Sequence, residues 1–438
     1  MKIAIIGAGA TGLATAYYLS KKEHQVTIFE SSNYIGGHAS TFEINGTPIE
    51  RAYHHWFRND YEILQLCEEI GLSDQIGWHN SKVGTLFQGK IYNFNSPIDI
   101  LKYTPLSIID RFKLGLSTLK IQRIKSWKYV ENVTAVEWLK KNAGVHAYKA
   151  FWEPMLRGKF GEEYYKEIGM SWVWGKIHTR LASRKGIMSK EKLGYPVGSF
   201  KTFFEKLYEK NIAQGVSIHL STPITEIISR DNKVTGLRVN KSSNLEKFDR
   251  VICTLPSDIF QKIAPGLNDT YISKLTSVDY MSAILAIIVT NQPISDKYWI
   301  NIADREIPFL GVIEHTNLIS SSNYSNKNIT YLTNYTTKSD PLYKMSDQEL
   351  LNEYIPHIKK INPNFNQSWI DEYHYHKIDN AQPVIRPNYS KIIPSYETSI
   401  ENLYLANTTQ IYPEDRGTNY SIRMAMDIAK IIERSYNF

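Results

Sequence analysis

A glycine-rich turn between an apolar strand and a helix constrains the fold of this 438-residue chain more than any other feature. Residues 2–6 are a largely apolar run, and Gly7, Gly9 and Gly12 follow with the spacing Gly-x-Gly-x-x-Gly. A helical pattern comes next, and a second β-pattern ends at Glu30, 18 residues beyond Gly12. Strand, glycine turn, helix, strand and acid in this order predict an α/β unit that binds a dinucleotide.

Each part of this unit has a physical role. Gly7 allows the tight turn, Gly9 lets the backbone approach a pyrophosphate, and Gly12 lets helix and strand pack closely. The helix N-terminus offers unpaired N–H groups and the positive end of its dipole to the phosphates. The carboxylate of Glu30 accepts hydrogen bonds from ribose hydroxyls. The predicted contacts in this part of the chain are Gly7, Gly9, Ala10, Thr11, Gly12, Glu30 and Ser31.

The residues after Glu30 resemble a known family pattern. Segment 31–41 contains Gly36-Gly37-His38 and resembles the extended fingerprint of the flavoproteins with two dinucleotide-binding domains. That superfamily includes the flavin amine oxidases, phytoene desaturases, protoporphyrinogen oxidases and UDP-galactopyranose mutases. The resemblance implies that the dinucleotide is FAD and that these three residues lie against it. His38 stands where amine oxidases usually carry arginine, so a titratable imidazole replaces a fixed charge.

Two later segments resemble the same superfamily. Within residues 195–265, the resemblance implies a backbone contact of Ile224 with the adenine and a strand end near Thr254 that closes the FAD domain. Near the C-terminus, it implies a helix whose N-terminus points at the flavin. The predicted contacts there are Arg416, Asn419 and Tyr420. The order Arg-Gly-Thr and then Tyr-x-x-x-Met in this segment is more similar to the galactopyranose mutases than to the amine oxidases.

The resemblance also implies how the chain is divided. It predicts an α/β fold whose Rossmann-like FAD domain is assembled from discontinuous segments, residues 1–58, 195–265 and 385–438. Residues 59–194 and 266–384 would then form an α+β substrate or cap domain. Periodicity predicts that the first of these two stretches is largely helical and that the second mixes strands with one helix.

Two further residues are candidates for chemistry. In relatives, the stretch equivalent to residues 52–57 lines the isoalloxazine ring, which implies that His54 or His55 contacts flavin or substrate; we take His54 as the catalytic candidate. Arg386 is the second, because a guanidinium can hold a diphosphate with two hydrogen bonds. Adjacent histidines on a strand point to opposite faces, and no further ligands accompany them, so we predict no metal site.

The net charge of +7 is concentrated in one part of the chain. Residues 101–192 carry a net charge of +11, and the remainder carries −4. The basic amphipathic helix predicted near residues 107–125 has three interpretations, which the sequence leaves open. They are contact with an anionic membrane, attraction of a phosphate-bearing substrate, and a solvated face. We exclude nucleic acid as a partner, because no nucleic-acid-binding motif accompanies the charge.

Apolar runs and cysteines bear on the compartment. No uncharged apolar stretch is long enough to span a bilayer, so we predict no transmembrane helix. Two cysteines, Cys67 and Cys253, cannot form a disulfide framework, which favours a reducing compartment. We therefore predict a cytoplasmic protein, membrane-peripheral if the basic helix binds lipid.

Three hypotheses for the function remain. The first is an FAD-dependent oxidoreductase of the amine oxidase and desaturase type, which removes a hydride from a small lipophilic or phosphate-bearing substrate between the two domains. The second is an enzyme similar to the UDP-galactopyranose mutases, which acts on a nucleotide sugar without net redox change. The third is a flavin-free binding protein similar to the GDP-dissociation inhibitors, against which the intact glycines and Glu30 argue. The sequence indicates no oligomeric state.

Overall fold

The chain forms two large sheets, one parallel and one mixed, with further elements packed on both faces of each. The structure, a computed structural model, describes residues 1–183, 191–240 and 245–435. Residues 184–190, part of the predicted basic segment, lie outside the described residues. The predicted α/β class is confirmed by this architecture.

The parallel sheet has five strands, and the first strand of the chain lies at its centre. Ile3, Ala4 and Ile5 of that strand have no exposed surface, as expected for a parallel sheet that is covered on both faces. Because the strands come from widely separated parts of the chain, the predicted assembly from discontinuous segments is confirmed. Their order across the sheet is Leu403–Leu405, Arg250–Cys253, Lys2–Ile6, Gln25–Phe29 and Ser217–His219.

Four helices cover one face of this sheet, and their apolar side chains share a core with Ile3 and Ile5. These helices are Ala10–Ser20, Tyr61–Ile70, Phe200–Ala213 and Thr418–Arg434. The other face carries Ala4 and Ile6 and is covered by a three-stranded antiparallel sheet and two helices. Those elements are Ile224–Arg230, Lys233–Val239, Leu245–Lys247, Ser257–Ile263 and Asp269–Thr276.

One of these helices bears on the predicted domain boundaries. Ile63, Leu66 and Ile70 of helix Tyr61–Ile70 are fully buried in the core of the parallel sheet. The predicted boundary at residue 58 would assign this helix to the other domain, away from the core in which it packs. The boundaries themselves stay a prediction.

The second sheet has seven strands and is antiparallel except at one pair. Its strand Tyr280–Thr290 is buried on both faces: Ala283, Leu285 and Ile287 belong to one core, and Ile284 belongs to another. This alternation is the two-residue period of a strand. The strand order is Ile370–Pro383, Tyr280–Thr290, Asn328–Thr336, Gly311–Glu314, Trp299–Ile302, Val83–Phe87 and Lys90–Asn93.

Helices pack on both faces of the second sheet. Helix Asp347–Ile358 covers the face that carries Ile284. A helical layer covers the other face, and one of its helices begins at a capping box between Thr134 and Glu137, which satisfies two backbone donors. The members of that layer are Pro97–Leu101, Ile108–Arg123, Ala135–Ala143, Val145–Ala147, the π-turn Tyr148–Trp152, Glu153–Tyr164 and Met170–Ala182.

The prediction that residues 59–194 are largely helical is only partly right. The structure adds strands Ile76–Asn80, Val83–Phe87 and Lys90–Asn93 to this stretch. Strand Val83–Phe87 pairs in parallel with Trp299–Ile302, more than 200 residues away in the chain. Short strands of this kind are stabilised by distant partners, so local periodicity carries little signal for them.

Replacement of Gly12 by alanine tests the packing at the glycine turn. An added Cβ would collide with the carbonyl oxygen of Gly7, so we expect Gly12→Ala to lower the free energy of unfolding by about 1–3 kcal/mol. Gly115→Ala is the matched control: it also lies inside a helix, but a Cβ there meets nothing within 4 Å. We expect the control to gain about 0.5–1 kcal/mol. Thermal unfolding followed by circular dichroism compares the two, and equal midpoints would contradict the close packing.

Candidate functional site

A cavity of about 910 Å³ lies at the carboxyl ends of the parallel strands and extends to the second sheet. Gly7, Glu30, Thr254 and Ala406 each follow the last residue of a different parallel strand, and all four line the cavity. Open α/β sheets bind ligands at this edge, because the backbone leaves the sheet there in turns and helix N-termini. The topology therefore brings together residues from distant parts of the chain.

The glycine turn forms one end of the cavity. Gly7 has φ +107°, a conformation that favours glycine, and Gly12 packs directly over its carbonyl oxygen. Helix Ala10–Ser20 begins here with Gly9 at its N-cap, and no side chain caps its first N–H groups. Gly37 packs against Gly9, where an added Cβ would lie 3.2 Å from the Gly9 Cα. The turn thus presents unpaired backbone donors in a cradle without side chains, which suits a pyrophosphate.

Glu30 lies beside this cradle and is held in a defined orientation. Its carboxylate accepts hydrogen bonds from the backbone N–H of Ala8 and of Ser32, each at 2.8 Å, and from the Ser31 hydroxyl at 3.2 Å. A carboxylate has about four acceptor positions. About one acceptor position is left, and Glu30 lines the cavity, as a ribose partner requires.

The histidines of the cavity are uncharged at neutral pH. Burial, with a smaller contribution from the positive charge of Arg416, lowers the pKa of His38 and of His54 to about 4. His54 Nδ1 donates to the carbonyl oxygen of Ala52 at 2.5 Å, which leaves Nε2 as an acceptor. His55 Nδ1 lies 3.0 Å from the Tyr298 hydroxyl, and burial lowers its pKa to about 3. The described residues contain no cluster of three or more side chains that could hold a metal ion.

A group of charged side chains lies deeper in the cavity. Asp415 Oδ2 lies 3.3 Å from Lys159 Nζ and 3.2 Å from Lys176 Nζ, and Arg416 Nη2 donates to the Tyr335 hydroxyl at 2.7 Å. Burial raises the pKa of Asp415, but the two lysines outweigh burial and hold it far below its usual value. Burial lowers the pKa of Lys176 and Asp415 offsets only part of this, which leaves a pKa of about 8. Three cations, Lys159, Lys176 and Arg416, lie around the single carboxylate of Asp415, so the group carries an excess of positive charge.

The section of the cavity beyond this charged group is lined by large apolar side chains. They come from the second sheet and from its helical layer. A wall of this composition binds an apolar body and excludes water. Its aromatic and aliphatic members include Phe94, Phe151, Trp152, Met155, Ile177 and Trp299.

Most of the residues predicted from the sequence line the cavity, and three do not. Gly12 lies behind the turn and acts through packing. Ile224 begins a strand on the other face of the parallel sheet and is not a lining residue, so its contact with adenine stays a prediction. The predicted residues that do line the cavity are Gly7, Gly9, Ala10, Thr11, Glu30, Ser31, Gly36, Gly37, His38, His54, Thr254, Arg416, Asn419 and Tyr420.

Arg386, the third residue outside the cavity, lies in an ion pair at the protein surface. Its Nε donates to Glu167 at 2.7 Å, and its Nη2 lies 2.7 Å from Asp279. Both partners are about half exposed, so the guanidinium is used in a surface ion pair. A catalytic role of Arg386 stays a prediction.

Asn419 lines the cavity, but its side chain accepts a hydrogen bond from Ile63 N–H and donates one to the carboxylate of Glu62 in helix Tyr61–Ile70.

Sequence reasoning missed Lys159, Lys176 and Tyr335. They come from two helices and one strand and are at least 17 residues apart along the chain. Lysines in helices and a tyrosine in a strand are common and have no diagnostic spacing. Only the packing of the helical layer on the second sheet brings them together.

Comparison with known families now identifies the fold and the cofactor. The family model for flavin containing amine oxidoreductases matches residues 10–413. The chain belongs to this family. FAD is its cofactor, and the glycine cradle, the uncapped helix N-terminus and the oriented Glu30 carboxylate fit that group.

Individual relatives are distant. The coproporphyrinogen III oxidase of Staphylococcus aureus is 25% identical over 59% of this chain and 61% of that protein. The chain spans about 60% of the length of the first curated relatives that it matches. Among solved structures, a putative protoporphyrinogen oxidase from Exiguobacterium has a TM-score of 0.78 at 17% identity, covering 99% of this chain and 98% of that one. A reduced UDP-galactopyranose mutase also has 0.78, at 15% identity, with 98% and 95% covered.

Replacement of Glu30 tests its role in the cofactor site. We expect Glu30→Ala to bind FAD roughly 10–100-fold more weakly, because a hydrogen bond to a charged group contributes about 1.5–3 kcal/mol. FAD titration of the apoprotein, followed by flavin fluorescence, measures the dissociation constant. Glu246→Ala, at an exposed strand position outside the cavity, is the control and should bind like the unmodified protein. Equal affinity of the two variants would rule out the role assigned to Glu30.

Proposed function

We propose that this protein is an FAD-dependent oxidoreductase that removes a hydride from a lipophilic substrate bound between its two large sheets. The observation that carries this proposal is the continuity of the cavity. The same cavity is lined by the glycine cradle at one end and by aromatic and aliphatic side chains at the other. A substrate in the apolar section would therefore lie in the same enclosed space as the cofactor.

The residues of the chain have separate tasks in this proposal. Gly7, Gly9 and the first turn of helix Ala10–Ser20 would hold the pyrophosphate, and Glu30 would hold the ribose. Bound FAD supplies the hydride acceptor. Arg416 precedes the N-terminus of helix Thr418–Arg434, so its charge and the helix dipole both favour negative charge at that end of the cavity.

The lining and the relatives support a lipophilic substrate class. Large apolar side chains exclude water from the region where a hydride would be transferred, and they fit the body of an apolar molecule. A curated relative is named coproporphyrinogen III oxidase, and a structural neighbour is titled a putative protoporphyrinogen oxidase. A porphyrinogen, which combines an extended apolar ring with carboxylates, is therefore the first substrate to test.

Anaerobic mixing with coproporphyrinogen III tests the proposal. We expect the visible absorption band of oxidised flavin to bleach, because the cofactor takes up the hydride in the absence of another acceptor. The same experiment with phytoene in detergent extends the test to a substrate without carboxylates. If neither compound bleaches the flavin under any condition that preserves cofactor binding, the proposed oxidoreductase function fails for this substrate class.

A mutase-like activity on a nucleotide sugar is the second candidate. Lys159, Lys176 and Arg180 line the cavity and could attract a diphosphate, and the fold matches that of a UDP-galactopyranose mutase. UDP-galactopyranose should then perturb the flavin spectrum of the reduced protein and be converted without consumption of an electron acceptor. Conversion of the sugar without flavin bleaching by coproporphyrinogen III would favour this second candidate.

We also propose that helix Ile108–Arg123 contacts an anionic membrane surface. Five of its large apolar side chains are exposed to solvent, while Leu114 and Ile121 are buried in the core, and basic residues lie on the same helix. Helix Pro97–Leu101 lies beside it, and Ile100 and Thr118 from the two helices line the cavity. A lipophilic substrate could then enter from the bilayer. The exposed apolar residues are Ile108 (67%), Ile109 (67%), Phe112 (58%), Leu116 (64%) and Leu119 (44%).

The rest of the described chain agrees with surface attachment as the mode of contact. No helix among the described residues is both long enough and apolar enough to cross a bilayer. Arg111 is held by the carbonyl oxygens of Leu101 and Leu106, at 2.7 and 2.8 Å, and so ties the two helices together. The cytoplasmic location stays a prediction; Cys67 and Cys253 are both buried and free.

Liposome flotation tests the membrane contact. We expect Phe112→Asp combined with Leu116→Asp to reduce binding to phosphatidylglycerol vesicles at least tenfold, because each buried apolar side chain contributes about 1.5–3 kcal/mol. Val197→Asp combined with Ile212→Asp is the control, since both residues are exposed and apolar but lie outside the basic segment. Absence of flotation by the unmodified protein would leave the helix as a solvated face.

A further inference from the structure

Tyr335 occupies a fixed position in the wall of the cavity. It lies one residue before the end of strand Asn328–Thr336 and pairs in register with Ala283 of the neighbouring strand. Only 8% of the residue is exposed, and it lines the cavity. A rigid sheet position of this kind holds a reacting group more firmly than a loop does.

The hydroxyl of Tyr335 is surrounded by groups that donate hydrogen bonds. Arg416 Nη2 donates to it at 2.7 Å, and Lys159 Nζ donates at 3.4 Å. Neither an arginine nor a protonated lysine can accept a hydrogen bond in return. The Tyr53 side chain interacts with Tyr335 as well, and burial together with the Tyr335 charge raises the pKa of Tyr53 well above its usual value. Tyr53 therefore keeps its proton.

The charges around Tyr335 favour its ionised form. Arg416, Lys159 and Lys176 carry three positive charges, and Asp415 supplies one negative charge. A phenolate at Tyr335 would reduce this buried excess, whereas a neutral phenol leaves it in place. Burial by itself raises the pKa of Tyr335, but Arg416 and Lys159 outweigh burial and lower it to about 8. Tyr335 is therefore partly ionised at neutral pH and increasingly so as the pH rises through 8.

We propose that Tyr335 is a catalytic residue, the base that accepts a proton from the substrate during its oxidation. This inference rests on the proposed oxidoreductase function. One substrate C–H bond breaks with its electron pair as hydride, which FAD takes up. The proton on the adjacent atom goes to the phenolate oxygen of Tyr335, and the electron pair that it leaves forms the new double bond of the product. Release of that proton to solvent restores the phenolate.

The proposal gives Arg416 and Lys159 a definite part in the reaction. Both positioning residues stabilise the phenolate before substrate arrives, so no reorganisation is needed at the moment of proton transfer. Asp415 holds Lys159 and Lys176 in place and limits the positive charge. The pKa of Lys176, about 8, lies in the same range as that of Tyr335, so loss of the Lys176 proton lowers the positive charge around the phenolate as the pH rises.

An ultraviolet titration of the FAD-loaded protein tests the ionisation without any substrate. We expect one tyrosine to ionise near pH 8 in the unmodified protein and this transition to be absent in Tyr335→Phe. Tyr61→Phe, at an exposed position outside the cavity, is the matched control and should retain the transition. Lys159→Met, which removes one cation, should move the transition to higher pH. Absence of any tyrosine ionisation near pH 8 in the unmodified protein would overturn the proposal.

The rate of flavin bleaching by coproporphyrinogen III tests the catalytic role. We expect the rate to rise with pH through about 8, and we expect Tyr335→Phe to be slower by roughly 10²–10⁴-fold with a flat pH profile. A rate in Tyr335→Phe equal to that of the unmodified protein would overturn the catalytic role even if the titration finds the phenolate. Failure of every substrate to bleach the flavin would instead overturn the proposed function, and the catalytic role with it, while the titration still reports the ionisation of Tyr335.

Discussion

The close approach of the first helix to the first strand sets the position of the whole cofactor site. Gly12 packs over the carbonyl oxygen of Gly7 with no room for a Cβ, and Gly37 packs against Gly9. This contact aims the uncapped N-terminus of helix Ala10–Ser20 at the cavity. The other parallel strands end at the same edge, and the residues that follow three of them, Glu30, Thr254 and Ala406, line the same cavity. The FAD site thus depends on backbone packing more than on any particular side chain.

Electrostatics distinguishes the two ends of the cavity. At the glycine end, backbone N–H groups and a helix dipole attract the cofactor phosphates, and Glu30 is the charged side chain in the cradle. At the deeper end, three cationic side chains surround Asp415 and Tyr335. Burial keeps His54 neutral, so it adds nothing to this positive charge. A buried excess of positive charge is costly unless an anion lies beside it. The cations therefore lower the pKa of the Tyr335 phenol and favour its anionic form.

The outer surface contributes a separate constraint. Five large apolar side chains of helix Ile108–Arg123 are exposed to solvent, although a helix of a globular protein normally turns such residues inward. Basic residues lie on the same helix, and this helix and its neighbour Pro97–Leu101 each contribute a residue to the cavity wall. Substrate class, membrane contact and the position of the cavity therefore belong to one hypothesis, in which a lipophilic molecule passes from the bilayer to the site. The periodicity of the helix was visible in the sequence, but its exposure was not.

The sequence by itself determined the parallel-sheet unit, the FAD cradle and most residues that line it, because glycine turns, helix starts and strand ends are encoded by short neighbouring segments. It did not show that Arg386 lies in a surface ion pair, and it missed strands such as Val83–Phe87, whose partner lies more than 200 residues away. Only the tertiary structure brought Tyr335, Lys159, Asp415 and Lys176 together in a chain of contacts in which each touches the next. Their chemistry arises from burial and mutual charge, which no local spacing records, since both depend on how distant elements pack.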